Sequence, residues 1–247
     1  HPRLLPQLGP AVEAAIDPAV RRCQPAVMAA YDLIVIGGGL VGGAIAWGAA
    51  RLGASVALLD EGDVAHRAAR GNFGLVWVQT KGAGMPPYAH WTRRSAELWP
   101  ALQHAMAERT GVDVALRQPG GLMFCLSDAE LEERAEQARR MHNESGGIGT
   151  RVLDRAEIRA LVPMVGDRVV GATFCPLDGH ANPLKLLRAL HHALAGSGGA
   201  YLPNRTVTAI TAQSPGFIVQ AGGERLTCDK LVIAAGLGSR DLAPMVG

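Results

Sequence analysis

Positions 33–36 are apolar without exception, with Asp32 just before them and Gly37 just after. Four apolar residues ended by glycine predict a buried parallel strand, because a strand covered on both faces has no polar alternation. Positions 41–51 continue as a helix rich in alanine and glycine, Gly53 stops it, and 55–59 form a second strand. The run 33–50 holds 18 residues without a charge, six of them glycine. Its length suits a membrane span. The glycines cluster as a loop, however, and Asp32 and Arg51 close the run just before another strand. A buried strand–helix–strand unit explains all of this, whereas a span explains only the length.

Further along, 75–78 predict a short strand, and 87–110 a helix whose face is marked by Trp91, Leu98, Leu102 and Met106. Pro100 should kink or split that helix, and Gly111 stands where a C-cap belongs. Positions 112–116 and 122–126 predict two strands of a hairpin around Pro119, Gly120 and Gly121. Ser127 with Glu130, and Asp154 with Glu157, have the spacing of capping boxes opening two helices. A strand at 169–175 precedes a helix capped by Asn182 with Pro183 at its first position, striped by Leu187, Leu190 and Leu194. Segments 205–212, 216–220 and 225–228 read as an antiparallel meander, and 231–235 as a last buried strand.

Apolar residues make up 48% of the 247, the formal net charge is +2, and no lysine–arginine block stands out. These values exclude a nucleic-acid surface and a strongly basic membrane patch, and 4% aromatics argue against a base-stacking face. Cys23, Cys125, Cys175 and Cys228 form no CxxC pair, and adjacent His191 and His192 diverge on a helix, so no metal site is expected. Isolated thiols suit a reducing, cytoplasmic compartment, with peripheral membrane attachment left open. Residues 1–27 show no secretory core. The native domain is expected to begin at Met28, and 1–29 to be a poorly ordered leader.

The chemistry lies in the first unit. Gly37, Gly39 and Gly42 spell G-x-G-x-x-G between strand and helix, and Asp60 ends the second strand 23 residues after Gly37. Gly37 allows the tight turn, Gly39 lets a pyrophosphate approach the backbone, and Gly42 lets the helix pack close. The helix start, at Leu40 and Val41, offers unpaired N–H groups to phosphate. Asp60 can accept from a ribose diol. The strand, the helix and the distant acid together make a dinucleotide-binding unit out of a motif that alone is weak. Tyr88, Trp91 and Trp99 could line a pocket, although such a stripe is more often packing.

With those residues located, the chain resembles the D-amino-acid-oxidase-like flavoproteins, a group that includes glycine and sarcosine oxidases, from about position 31 onward. DLIVIGGGLVGGAIA with VALLDEGD is similar to the family's first βαβ unit, which implies FAD and places its ribose at Asp60, with Glu61 beside it. RAARGNFGLV resembles the loop around the flavin, implicating Ala68, Ala69, Arg70, Gly71, Asn72, Phe73, Gly74 and Leu75. PGGLMFCLSDAELE resembles the start of the family's substrate domain, and DGHANPLKLLRAL the return to the cofactor domain. NRTVTAI resembles the strand that meets adenine at Val207. LVIAAGLGS resembles a second glycine turn near FAD, at Ala234, Ala235 and Gly236.

The resemblance implies an α/β fold in which a Rossmann-like FAD domain (30–85 and 169–239) is interrupted by an α+β substrate lobe (86–168). The expected activity is oxidation of the C–N bond of a small amino acid or secondary amine by hydride transfer to flavin. Family members run on beyond a point matching Gly247. The expectation is therefore a chain truncated after 240–247, or one subunit of a homo- or hetero-oligomer. His180 is the one side-chain candidate for a catalytic part, against the plainer reading that it orders the turn before Asn182. Two rivals stand beside this reading: a nicotinamide-dependent dehydrogenase on the same βαβ unit, and a non-catalytic nucleotide-binding subunit.

Overall fold

The computed structural model describes residues 29–62 and 68–247, side chains 143–145 excepted. Cys23, the expected start at Met28 and the leader lie outside the described residues. The centre is a six-stranded sheet. Strand β1 (Ala29–Ile36) runs into helix α1 (Leu40–Ala50) and then β2 (Val56–Leu59), as the periodicity predicts. All four residues of β2 are buried, and Ile34, Val35 and Ile36 of β1 are too. Ile34, Ile36, Ala57 and Leu59 feed one core cluster, while Val35, Val56 and Leu58 feed the other. This two-sided burial is the reason the sequence shows no alternation there.

After β2 come a short helical turn, α2 (Ala68–Gly71), and a two-residue strand, β3 (Leu75–Val76), shorter than the predicted 75–78. Helix α3 (Pro86–Thr110) is continuous, so the expected split at Pro100 does not occur. The carbonyl that Pro100 cannot engage belongs to Ala96, and the Gln118 side-chain amide donates to it at 3.2 Å. An outside donor thus replaces the lost intrahelical one. The buried face of α3 is Ala89, Ala96 and Met106, whereas Trp91 is 70% exposed. The predicted stripe holds in part: Met106 is buried and Leu102 packs against the core, but Trp91 and Leu98 are exposed and Ala89 and Ala96 fill the rest of the buried face. Gly111 caps the helix in the left-handed conformation, at φ 69°.

Segment 112–116 is not a strand, and the predicted hairpin is absent. Its backbone is claimed by side chains: Asp113 Oδ1 accepts from Ala115 N at 2.7 Å, and Gln103 Oε1 from Leu116 N at 2.9 Å. Ala115 has φ +55°, which breaks the extended run. Strand β4 (Gly121–Cys125) pairs instead with β6 (Gly171–Cys175), which also pairs with β5 (Arg151–Asp154), in the order β4-β6-β5. This sheet therefore draws on both sides of the boundary expected at 168. Helices α4 (Asp128–Ser145) and α5 (Arg155–Leu161) open on Ser127 and Asp154 as the capping-box spacing predicts. Strand β7 (Gly179–His180) pairs with β3.

Helix α6 (Pro183–Gly196) starts on Asn182, whose side chain accepts from Lys185 N. It buries Leu186, Ala189, Leu190, Ala193 and Leu194 and packs on α1. Strand β8 (Ala200–Leu202) joins the central sheet beside β2. A meander of β9 (Val207–Ala212), β10 (Phe217–Ala221) and β11 (Glu224–Ile233) follows. The sheet order is β8-β2-β1-β11-β10-β9. The predicted strands 225–228 and 231–235 merge into β11. Its first half pairs antiparallel with β10, and from Leu226 onward it runs parallel to β1. A single strand can serve both because each of its edges meets a different neighbour. The short helix α7 (Ser239–Leu242) sets Leu242 against the second cluster.

Among the described residues no helix is long and apolar enough to cross a membrane. Cys125, Cys175 and Cys228 are free and buried, and burial raises all three thiols above their ordinary pKa. They are protonated at neutral pH and behave as small apolar residues.

Candidate functional site

Strands β1, β2 and β11 run parallel and end side by side, so their carboxyl ends deliver Gly37, Asp60 and Ala234 to one edge of the sheet. A crevice outside those ends, where connections leave in opposite directions, is where open α/β sheets take ligands. A cleft of about 610 Å³ occupies this place. Its walls include Gly37, Gly39, Leu40 and Val41 from the glycine turn, and Asp60 and Glu61 after β2. Ala68, Ala69 and Asn72 flank it, and Val207, Ala234, Ala235 and Gly236 complete it.

Each glycine of the turn has a measurable reason. Gly37 has φ +109°, and a Cβ there would lie 2.4 Å from Ala234 O. A Cβ on Gly42 would lie 1.9 Å from Gly37 O, so the first turn of α1 rests directly on the end of β1. Gly39 differs, since a Cβ there would meet only Ala69 Cβ, at 3.7 Å. No protein atom crowds Gly39 because it faces the cleft. It is also the N-cap of α1, with no side-chain cap and no acid in the first turn. The first-turn amides of α1 therefore lack a side-chain acceptor, and an anion in the cleft would supply one. The residues present thus fit a dinucleotide whose diphosphate meets this helix.

Asp60 is 7% exposed and both its oxygens are engaged: Oδ2 accepts from Gly38 N at 2.7 Å, and Oδ1 from Gly62 N at 3.0 Å. It forms the floor between the first cleft and a second, also about 610 Å³, behind the glycine turn. Replacing Asp60 by Ala frees two amides and removes a buried charge from the turn. ADP and FAD affinity should fall by roughly 1 to 3 kcal/mol, read by titration calorimetry. Unchanged affinity would detach Asp60 from the site.

The remaining expected site residues divide. Gly42 is buried behind the turn, and Arg70 lines the second cleft rather than the first. Gly71, Phe73, Gly74 and Leu75 line neither cleft. Phe73 is 82% exposed. The Asn72 side chain is spent on its own loop, donating to Ala68 O and Ala69 O and accepting from Gly74 N. A Cβ on Gly74 would lie 1.8 Å from Ala181 O, so this loop is pressed on the segment entering α6. His180 sits there too. Its backbone pairs with Arg117 and Leu75, and its side chain is exposed. Tyr88 and Trp91 pack edge to face and line neither cleft.

Two side chains escaped the sequence reading. Arg205 lines the first cleft. Its backbone N–H donates to Asp60 O at 2.8 Å, its Nη2 meets Glu224 Oε1 at 3.1 Å, and its buried Nε lacks a protein acceptor. Only its place two residues before Val207 could have flagged it. His191 of α6 lines the second cleft and reaches Gly38 O at 2.8 Å. Burial lowers the pKa of this imidazole, against the opposing pull of Gly38 O and Asp60. Nothing in the sequence around His191 points to this contact, because its partner Gly38 lies 153 positions away.

Residues 32–247 match the family described as FAD dependent oxidoreductase, DAO. The chain belongs to this family. Among its curated relatives, an opine oxidase subunit of Rhizobium meliloti is 44% identical over 218 residues, covering 87% of this chain and 59% of that protein. The corresponding opine oxidase subunit of Agrobacterium tumefaciens (strain Ach5) is 42% identical, with the same coverage of 87% and 59%. The crystal structure of glycine oxidase from Geobacillus kaustophilus superposes with a TM-score of 0.77 at 27% identity, covering 89% of this chain and 59% of that one. The chain thus spans about six-tenths of the length of these relatives. FAD is the cofactor of the DAO family, and the fold is the family's α/β architecture.

Proposed function

We propose that this protein supplies the FAD-binding part of an enzyme that oxidises the C–N bond of a small amino acid or secondary amine. The observation that carries the reading is the single cleft at the carboxyl ends of β1, β2 and β11. It gathers an uncapped helix start, a buried acid and a second glycine turn along one cleft. The opine oxidase and glycine oxidase relatives support an amine substrate. An opine is itself a secondary amine of an amino acid, so the opine type is the preferred substrate class. The opine oxidase relatives are each one subunit of their enzyme, which supports a second chain as partner.

In this reading the amides at Gly39, Leu40 and Val41 hold the diphosphate, Asp60 and Glu61 the adenosine ribose, and the Val207 backbone the adenine. The turn at Ala234, Ala235 and Gly236 and the loop 68–75 flank the flavin, and residues 86–168 supply a substrate lobe. When bound, FAD supplies a two-electron acceptor for a hydride from carbon. The chain's task is to hold that cofactor in register and keep water from it, with no side-chain acid or base required if the amine binds neutral. His180, with its side chain exposed beside Leu75, is the first residue to replace when looking for one.

Anaerobic mixing of the FAD-loaded protein with an opine panel, glycine, sarcosine and D-alanine tests the reading. Bleaching of the visible flavin bands by a secondary amine, with or without a co-expressed partner chain, is expected. A protein that takes up no FAD, or whose flavin none of these amines bleaches under either condition, overturns it. Nicotinamide dependence has no comparable support, since the family matched is the FAD-dependent one.

A further inference from the structure

Gly38, at the middle of the glycine turn, is held through both of the peptide planes that flank it. Gly38 N donates to Asp60 Oδ2 at 2.7 Å, and Gly38 O meets His191 Nε2 at 2.8 Å. A carbonyl only accepts, so Nε2 carries the hydrogen. The His191 ring is held in turn. It stacks on Tyr201 of β8 with centroids 4.1 Å apart and planes 24° apart. A Cβ on Gly38 would lie 2.9 Å from Asp60 Cβ and 3.0 Å from Tyr201 Cε2, so only glycine fits between the acid and the ring.

The geometry has a consequence one atom further on. Gly38 C=O and Gly39 N–H belong to one trans peptide and point in opposite directions. Gly39 lines both clefts, and drawing Gly38 O toward α6 turns Gly39 N–H away from α6 and the second cleft, toward the first. Gly39 O is meanwhile committed to Gly43 N at 2.8 Å, which fixes the next plane.

We propose that His191 is a positioning residue for the dinucleotide: its Nε2–H, braced by Tyr201, sets the plane of the 38–39 peptide so that Gly39 N–H and the amides after it face the diphosphate. This rests on the cofactor reading above. It adds a determinant that neither the glycine motif nor the acid after β2 contains, contributed by a helix 153 positions away from Gly38.

Two substitutions separate hydrogen bond from packing. His191→Phe keeps a ring against Tyr201 and removes the donor. His191→Gln discards the ring but can place an N–H near the same point. ADP binding is measured by calorimetry and FAD binding by fluorescence quenching, with thermal unfolding of each variant alongside. His191→Phe is expected to weaken ADP and FAD by about tenfold, the scale of one well-placed hydrogen bond, without a matching loss of melting temperature. His191→Gln should stay within about threefold of the parent. Parental affinity in His191→Phe overturns the proposal, as does equal weakening in both variants or loss of folded protein in both, each of which assigns His191 to packing. Failure of the parent itself to bind ADP or FAD overturns the cofactor reading, and this inference with it.

Discussion

Gly42→Ala should abolish FAD and ADP binding and lower stability by about 3 kcal/mol or more, the upper end of what overpacking costs. The added carbon would stand 1.9 Å from Gly37 O and 3.1 Å from Gly37 C, both backbone atoms that cannot rotate aside. The end of β1 and the first turn of α1 would have to part. Gly37 is pinned from behind, with its own Cβ position 2.4 Å from Ala234 O. The displacement would therefore pass to β11 and into the cleft. Gly48 supplies the internal control. It lies on the same helix with nothing within 4 Å of its Cβ position, so Gly48→Ala should stabilise by about 0.5 to 1 kcal/mol through helix propensity alone. Thermal unfolding and ADP titration of both variants check this. A Gly42→Ala protein that melts and binds like its parent would mean that the helix does not sit on the strand as described.

That contrast shows what the sequence could and could not disclose. The βαβ unit was legible because local constraints there coincide: a strand buried on both faces, a turn that only glycine can make, and a helix pressed on that turn. The caps at Ser127, Asp154 and Asn182 were legible for the same reason, since each is settled within four residues. What failed depended on distant partners. Segment 112–116 has strand-like composition, but Gln103 from the preceding helix takes one of its amides, and nothing in the local pattern says so. Pro100 breaks an isolated helix, yet Gln118 completes this one. The sequence predicts two strands, 225–228 and 231–235, where the structure has the one strand β11. It is continuous because two strands claim its two edges. Of the residues lining the first cleft, the glycine turn and Asp60 followed from motif spacing, and Val207, Ala234, Ala235 and Gly236 from the family resemblance. His191 and Arg205 did not, because the contacts that place them in the site cross the chain by more than a hundred positions or turn on a single backbone bond.

Asp178 is the second position where a small change should have a large effect. It is fully buried, between residues 78–79 after β3 and the three-stranded sheet β4-β6-β5. Its Oδ1 accepts from Val78 N at 2.5 Å and its Oδ2 from Gln79 Nε2 at 2.7 Å. Gln79 Oε1 in turn accepts from Thr173 Oγ1 at 2.7 Å on β6. One carboxylate thus ties residues 78–79 to both β6 and β7. Asp178→Ala strands two buried donors and leaves a hole, at about 2 to 5 kcal/mol, or roughly 5 to 15 °C in melting temperature. FAD affinity should weaken with it, because the loop 68–75 leads directly into this anchor.

The pH dependence of Asp178 has a definite sign. Burial raises its carboxyl pKa above the ordinary aspartate value, outweighing the hydrogen bonds from Val78 and Gln79. The folded state therefore holds the proton where the unfolded chain has released it. Its contribution to stability is complete below the unfolded pKa of about 3.9 and is lost as pH rises through the higher folded value. Asp178→Asn has nearly the same shape and no titration. The Gln79 amide can turn to match it, offering Nε2 to the Thr173 hydroxyl. Urea unfolding of both proteins across the acid range should show the parent losing ground to Asp178→Asn as pH rises, with the gap constant once the folded group has ionised. A parent that gains on the Asn variant over that range would show instead that the ionised carboxylate is the form the fold prefers, with Val78 and Gln79 outweighing the loss of water.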